Sequence, residues 1–356
     1  MLINNISLQN FRSFQKKSFE FDEKTTVIVG PNASGKTNIL EAIYLLSTGK
    51  SFRAGREEEM IRNGDDVGRV MGLVVGSEQV KLEVVLTRGQ INGERVARKK
   101  LTINGVGKHL YNFAGTLKIV LFGPWDLGLV TESPSTRRRF LDNVLSQVDR
   151  EYRRSILSYE KGVRQRNRLL EHIRDGETSR SQLLFWDKLL IRNGTYITAA
   201  REKFIEFVNQ REPLGEEIFS ITYDKSAISE GRLEQYAEEE VAAATTLVGP
   251  HRDDFQFESI KGGKSTKSIK SRNLATYGSR GEQRMGVLWI KLAELSYIEG
   301  VTNERPVLLL DDIFSELDHE HREVVMGVVG QQQTLITTAD PHTIEDWKKD
   351  AQIVEL

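Results

Sequence analysis

The feature that most constrains this chain is the run Gly30-Pro31-Asn32-Ala33-Ser34-Gly35-Lys36-Thr37. It is set between a buried β-like stretch, Thr25 to Val29, and a helical one, Thr37 to about Ser47. G-x-x-x-x-G-K-[ST] between strand and helix predicts a loop whose backbone N–H groups converge on phosphate oxygens. Gly30 and Gly35 let the backbone curl, and the helix directs its positive N-terminal end at the same anion. Lys36 is expected to reach the β- and γ-phosphates, and the Thr37 hydroxyl to bind Mg²⁺. ATP and Mg²⁺ are the expected cofactors.

A second pattern narrows this. Leu308-Leu309-Leu310-Asp311-Asp312 is an apolar strand ending in paired acids. Beside a phosphate loop, Asp311 is expected to hold Mg²⁺, directly or through water, and Asp312 to orient or activate the attacking water. Lys36, Asp311 and Asp312 are thus the expected catalytic set, with Thr37 and Asp311 on the metal. Ser279-Arg280-Gly281-Glu282-Gln283 stands just before a helical stretch, about thirty residues ahead of that strand. It resembles the signature of the ABC ATPases, and Ser315-Glu316-Leu317-Asp318 resembles the loop that follows their acidic strand. The resemblance implies a head-to-tail homodimer on ATP binding. Ser279, Gly281 and Gln283 of one subunit would complete the site held by Lys36 of the other.

Charge and composition set outer limits. Lys and Arg number 50 against 51 Asp and Glu, so the net charge of −1 does not by itself favour a polyanion. The charges are clustered, however, with Arg137-Arg138-Arg139 and Lys261, Lys264, Lys267, Lys270, Arg272 against Glu57-Glu58-Glu59 and Glu238-Glu239-Glu240. A dipolar surface of that kind can carry a phosphate-binding face. The chain has no cysteine, which excludes disulfides and cysteine-bound zinc, and its six histidines are scattered. No run of eighteen apolar residues is present, so no membrane span is expected, and the first residues lack the pattern of an export signal.

Residues 1 to about 110 read as short strands, with Asn92-Gly93 and Asn104-Gly105 as hairpin signals. From about Ser135 to Asn209 apolar residues recur at helical spacing, interrupted at Asp175-Gly176-Glu177. Two antiparallel helices fit, with room for a break in one. A continuous helix of roughly 38 residues there would reach only about 57 Å, a short arm. After Pro250 the α/β character returns, with strands expected at Val307 to Leu310, Thr334 to Thr338 and near Ile353. The expected division is an α/β ATPase head built from 1–114 and 246–356, with a mainly helical lobe at 115–245 inserted.

About 240 residues separate the phosphate loop from the signature, an insertion typical of the SMC-like branch of ABC ATPases. Within it the chain resembles the RecF family of bacterial recombination mediators. The likeness rests on Leu8-Gln9-Asn10-Phe11-Arg12-Ser13-Phe14, Asn38-Ile39-Leu40-Glu41-Ala42-Ile43-Tyr44 and Ser51-Phe52-Arg53. It continues in Pro124-Trp125-Asp126-Leu127-Gly128-Leu129-Val130, Ser133 to Asp142, Gly249-Pro250-His251-Arg252-Asp253-Asp254, and Asp311 to Asp318. The resemblance implies a cytoplasmic, nucleoid-associated protein that acts on duplex DNA beside single-stranded gaps, with RecR and RecO as partners and slow ATP hydrolysis as a timer. It places Arg12 near phosphate or adenine. Lys50, Arg53, Arg137 and Arg138 would lie on a DNA-facing surface, as would Lys264 and Lys267 in a basic loop. A switch residue is implied at Asp340 or His342. Two other readings stay open at this point, the nucleotide-binding subunit of an ABC transporter and an SMC-like ATPase of a nuclease system.

Overall fold

The computed structural model describes residues 1–76, 78–214, 217–261, 271–315, 319–340 and 350–356. The chain packs as two units, Met1–Asp126 with Ile298–Leu356, and Leu127–Tyr297.

In the first unit, β1 (Leu2–Phe11) and β2 (Phe14–Glu20) form a hairpin, and β3 (Thr25–Val29) leads through the phosphate loop into α1 (Lys36–Thr48). Then come β4 (Val67–Val75), β5 (Gln79–Thr87), β6 (Gln90–Ile91), β7 (Glu94–Arg95), β8 (Lys99–Ile103), β9 (Val106–Lys108), α2 (Leu110–Phe113) and β10 (Ile119–Phe122). An antiparallel sheet runs β2-β1-β4-β5-β8-β9. Along β4 buried residues alternate with half-buried ones, the period of a sheet with one face on a core. Asn92-Gly93 and Asn104-Gly105 have positive φ at both residues, as two-residue hairpin turns require, so both hairpin signals are realised.

The second sheet of this unit draws on both ends of the chain. β10 pairs with β14 (Val307–Asp311), β14 with β15 (Thr334–Thr338), β15 with β3, and β3 with β16 (Gln352–Glu355), all parallel. β3, β10, β14 and β15 are buried at every residue, as strands of a parallel sheet covered on both faces are. β10 and β14 read as nearly continuous apolar runs, while β3 and β15 mix threonine with aliphatic residues. α1 packs against β4 and β5 of one sheet and against β10, β14 and β15 of the other. A helix covered on both sides must be apolar nearly all round, and Ile39, Leu40, Ala42, Ile43, Leu45 and Leu46 are fully buried. Gly72 makes the approach possible, since a Cβ there would lie 2.6 Å from Leu46 Cδ1.

The second unit holds α3 (Gly128–Thr131), α4 (Pro134–Val148), α5 (Arg150–Arg174), α6 (Leu184–Asn209), β11 (Glu217–Asp224), α7 (Glu230–Gln235) and α8 (Ala237–Ala243). They are followed by β12 (Asp254–Lys261), β13 (Arg272–Asn273), α9 (Leu274–Tyr277) and most of α10 (Arg280–Thr302). The helical stretch is broken at Asp149, whose side chain accepts from the N–H groups of Glu151 and Tyr152 and so caps α5. α5 and α6, of 25 and 26 residues, are each about 38 Å long. They lie close because Gly162 has no side chain, where a Cβ would meet Leu189 Cδ2 at 2.7 Å.

Packing divides the chain at other positions than the expected boundaries. Residues 115–126 belong with the first unit because β10 completes its parallel sheet. Residues 246–297 belong with the second because β12 pairs along its length with β11. The second unit is therefore helical with a three-stranded antiparallel sheet, β11-β12-β13. α11 (His319–Val328) completes the first unit.

Candidate nucleotide site

Because the strands of the second sheet run the same way, their C-terminal ends share one edge. There Asp311 pairs with Thr337, and Thr338 with Val29. The phosphate loop leaves from this edge, where open parallel sheets bind ligands. Ala33 and Gly35 take left-handed backbone, with φ of 68° and 109°. Space also demands glycine. A Cβ on Gly35 would lie 2.7 Å from Phe14 Cζ, and one on Gly30 would lie 2.7 Å from Ser34 Oγ.

Lys36 is buried, and its Nζ donates to the loop's own carbonyls, Gly30 O at 2.7 Å and Pro31 O at 3.0 Å. The Ser34 hydroxyl is buried with no hydrogen-bond partner. A buried orphan hydroxyl and an ammonium turned onto the loop's own backbone fit a polyphosphate. Pro31 and Asn32 form the exposed crest of the loop.

The acids of β14 come to the same edge. Thr37 Oγ1 donates to Asp311 Oδ1 at 3.2 Å, and Thr337 Oγ1 donates to the same oxygen at 2.5 Å. The Asp312 N–H donates to Thr337 Oγ1 at 3.1 Å and to Thr337 O at 3.2 Å, with Asp312 itself at φ 51°. Thr337 was not foreseen; β15 carries three threonines, Thr334, Thr337 and Thr338, and only the packing singles out the one that meets Asp311. A hydroxyl and a carboxylate oxygen in contact suit a hard divalent cation that takes its other ligands from phosphate and water, as Mg²⁺ does. Among the described residues no group of three or more His, Cys, Asp or Glu could hold a metal by itself. Mg²⁺ fits the site only as a companion of the nucleotide.

Arg12 stands in the turn between β1 and β2 with φ 51°, a conformation that costs a non-glycine residue about 1–3 kcal/mol. The turn is held by its surroundings. Arg12 N–H donates to Met60 O at 2.9 Å and Nη1 to Glu59 O at 2.7 Å. Nε and Nη2 grip the two oxygens of Glu41, on α1, at 2.8 and 2.6 Å. Arg53 Nη2 also donates to Glu41 Oε2 at 2.8 Å, and Ser51 Oγ to Oε1 at 2.6 Å. Burial pushes the Glu41 carboxyl up, but the hydrogen bonds from Arg12, Arg53 and Ser51 outweigh it and hold it below its ordinary value. Glu41 had no assigned role in the sequence, although a lone acid inside Ile39-Leu40-Glu41-Ala42-Ile43 is the mark of a paired, buried charge.

The signature residues open α10, in the second unit. Ser279 Oγ accepts from the Glu282 N–H at 3.3 Å, and Glu282 Oε2 accepts from the Ser279 N–H at 2.6 Å. This reciprocal cap is legible as Ser-x-x-Glu. Ser279, Arg280 and Gly281 are exposed. Gln283 is buried and donates to the carbonyls of Leu274, Ala275 and Gly278, at 3.2 to 3.4 Å. Within this chain Gln283 therefore shapes the turn ahead of the helix, while Ser279 and Gly281 are the members open to an incoming group.

A family model described as the RecF/RecN/SMC N terminal domain matches residues 2–355. The DNA replication and repair protein RecF of Bacillus thuringiensis (strain Al Hakam) is 34% identical over 381 aligned positions, which cover 100% of this chain and 97% of that protein. RecF of Bacillus cereus (strain AH187) gives the same figures. The chain belongs to the RecF family. A structure of the recombination mediator protein RecF with ATP, in the RecFOR pathway, matches with a TM-score of 0.84 at 31% identity, over 95% of this chain and 92% of that one. The Smc head domain of Pyrococcus furiosus, solved with the C-terminal domain of ScpA, matches at 0.52 and 16% identity, over 97% and 91%, and shares the fold. The fold is that of an ABC-type ATPase head.

The residues expected on a DNA-facing surface of this RecF-family chain do not share one fate. Lys50 is exposed, and Arg53 is bound to Glu41 and to Asn38 Oδ1. Arg137 is a correction. It is buried, with Nε and Nη2 on Asp254 at 2.6 and 3.1 Å and Nη1 on the carbonyls of Leu129 and Glu132. A guanidinium so enclosed has no face for a phosphate. Arg138 is half-buried on Asp253 O at 2.7 Å, and burial lowers its pKa, with Arg201 adding to the effect. Arg139 is the exposed member of the run. Lys264, Lys267, His342 and Glu316 to Asp318 lie outside the described residues. The Asp340 N–H donates to Thr338 Oγ1 at 3.1 Å, at the end of β15.

Two of the stretches that carry the family likeness meet inside the second unit. Arg201, on α6, is buried and reaches Asp142 Oδ1 and Asp253 Oδ2, both at 2.8 Å, and Pro250 O at 2.7 Å. Asp253 is fully buried and also takes the Tyr223 hydroxyl and the Ser226 N–H. The motif Gly249 to Asp254 and the run Ser133 to Asp142 are thus joined by Arg201 and by the Arg137–Asp254 pair. Their residues are explained by folding before any ligand is invoked.

Proposed function

We propose that this chain is an ATP-dependent DNA-binding protein of recombinational repair, a switch whose closed state is a dimer sandwiching two ATP molecules. The observation that carries the proposal is the phosphate loop with its orphan Ser34 hydroxyl, set on one sheet edge with Thr37, Asp311 and Thr337. ATP with Mg²⁺ supplies the phosphates and the cation for that edge. Lys36 and the loop N–H groups bind the phosphates, Thr37 and Asp311 hold the metal, and Asp312 orients water. Ser279 and Gly281 of a second copy cap the nucleotide, a task suited to an exposed helix start. ATP then favours the closed dimer because each nucleotide contacts both subunits.

Closure brings the basic surfaces of two subunits onto duplex DNA near a single-stranded gap. More phosphate contacts raise affinity and make it steeply salt-dependent. The solved relative with ATP is a recombination mediator of the RecFOR pathway, and that supports RecO and RecR as partners in loading recombinase. Slow, DNA-stimulated hydrolysis resets the dimer. Asp312 has a shorter reach to water than a glutamate, which supports slow turnover. Among the described residues no helix is long and apolar enough to cross a membrane.

Sedimentation velocity with and without ATP–Mg²⁺, with a labelled gapped duplex added, tests the proposal on wild type, Lys36→Met and Ser279→Arg. A nucleotide-dependent dimer that binds the DNA, and is lost in both variants, is the expected result. A monomer under every condition that ignores DNA would overturn it.

A further inference from the structure

Glu41 lies on α1, five residues beyond Lys36, with its side chain fully buried. It accepts from Arg12 twice, from Arg53 and from Ser51. Arg53 Nη2 continues to Asn38 Oδ1 at 2.5 Å, and Asn38 Nδ2 donates to Ser13 Oγ at 2.8 Å. Ser13 in turn borders the place a Cβ would take on Gly35, at 3.1 Å. Two separate segments, the β1–β2 turn and residues 51–53, are thereby tied to the helix that carries Lys36 and Thr37. One carboxylate faces two guanidiniums, so the group keeps a net positive charge, and the Arg12 and Arg53 side chains remain 20% and 38% exposed. The carboxylate therefore orients the cations without neutralising the pair.

We infer that Glu41 is a positioning residue for nucleotide binding: it presets the Arg12–Arg53 pair as an anion-binding group beside the phosphate loop, and it raises ATP affinity through Arg12. This rests on the nucleotide reading above. The strained Arg12 backbone fits the role, since the turn holds that side chain where a glycine would be the easier choice. A carboxylate that merely pinned two loops would affect stability alone.

The test is a double-mutant cycle on the full chain, with the Kd for ATP–Mg²⁺ measured by calorimetry and folding checked by circular dichroism. Glu41→Gln keeps the shape and removes the charge, and Arg12→Ala removes the proposed contact. Each is expected to weaken ATP about tenfold, and the double variant to be no weaker than Arg12→Ala. Ser51→Ala removes one bond to Glu41 and the acceptor of the Arg53 and Ala54 N–H groups, but no charge, and is expected to stay within about twofold. If Glu41→Gln does not fold, Arg12→Lys carries the question, because lysine cannot grip both carboxylate oxygens. It is then expected to bind like Arg12→Ala. Wild-type affinity in Glu41→Gln or in Arg12→Lys, or defects that multiply in the double variant, would overturn the role of Glu41 while leaving the nucleotide site standing. Wild-type protein that binds no ATP would overturn both.

Discussion

Thr337 shows how much chemistry one hydroxyl can organise. It donates to Asp311 Oδ1 and accepts from the Asp312 N–H, and it is fully buried. Thr337→Val keeps the volume but removes two hydrogen bonds, at about 0.5–1.5 kcal/mol each, since Asp311 Oδ1 keeps the Thr37 hydroxyl and the Asp312 N–H keeps Thr337 O. We predict a lower melting temperature and single-turnover ATP hydrolysis slowed about tenfold, with ATP affinity within threefold of wild type. Hydrolysis at the wild-type rate would show that Thr337 only packs. Arg137 and Arg139 make a second contrast. Arg137→Ala strands the Asp254 carboxylate, and removal of one partner from such a pair costs about 3 kcal/mol. Arg139→Ala is expected to stay within about 0.5 kcal/mol in urea unfolding. Equal stabilities would refute the structural assignment of Arg137. No sequence rule separates three adjacent arginines, because only the partner reached, more than a hundred residues away, decides which of them is buried.

At the scale of elements, the short turn Gly249 to Asp254 anchors the helices of the second unit. Gly249 has φ 121°, and a Cβ on it would lie 2.1 Å from the Tyr159 hydroxyl. Gly249→Ala combines backbone strain with that clash, and a loss of more than about 3 kcal/mol is expected in urea unfolding. His251 Nε2–H donates to Thr246 O at 3.0 Å, which leaves Nδ1 to accept from the Tyr159 hydroxyl at 2.8 Å. Burial lowers its pKa from 6.5 to about 4. The unfolded chain thus takes up a proton near pH 6.5 that the folded chain refuses until about pH 4. The stabilisation from the neutral ring is complete above pH 6.5 and is lost as pH falls toward 4. His251→Gln offers similar hydrogen bonds without titrating, so its melting temperature should fall less than that of wild type between pH 7 and pH 5. Parallel curves would show that other groups govern that range.

For the molecule as a whole, the decisive fact is that β3 is flanked by β15 and β16. The phosphate loop near the start of the chain is supported by strands near its end. The Leu356 N–H donates to Val29 O at 2.9 Å, and Leu356 Cβ stands 3.1 Å from where a Cβ on Gly30 would be. Deleting residues 352–356 exposes the edge of β3 and removes the support of the loop. Loss of ATP binding is expected before loss of helical circular dichroism from the second unit. Retained ATP affinity in the truncated chain would show that the loop is held from within. Contacts of such long sequence separation also make this unit slow to assemble, because loop-closure entropy must be overcome before the pairings form.

What the sequence determined by itself is the chemistry that short-range pattern encodes. The phosphate loop, the acidic strand and the Asn-Gly hairpins follow from backbone needs and apolar periodicity, which neighbouring residues express. The cap between Ser279 and Glu282 is equally local in origin, although that stretch was expected only as a signature; Ser-x-x-Glu is the pattern that encodes it. The roles of Glu41, Thr337, Arg137 and Arg201 were decided only in three dimensions. A lone buried charge announces that it needs a partner, but the partner is chosen by how the sheets and helices pack. The same holds for the unit boundaries. β10 and β12 were not foreseen as strands, and each is assigned to its unit by the strand that satisfies its backbone hydrogen bonds.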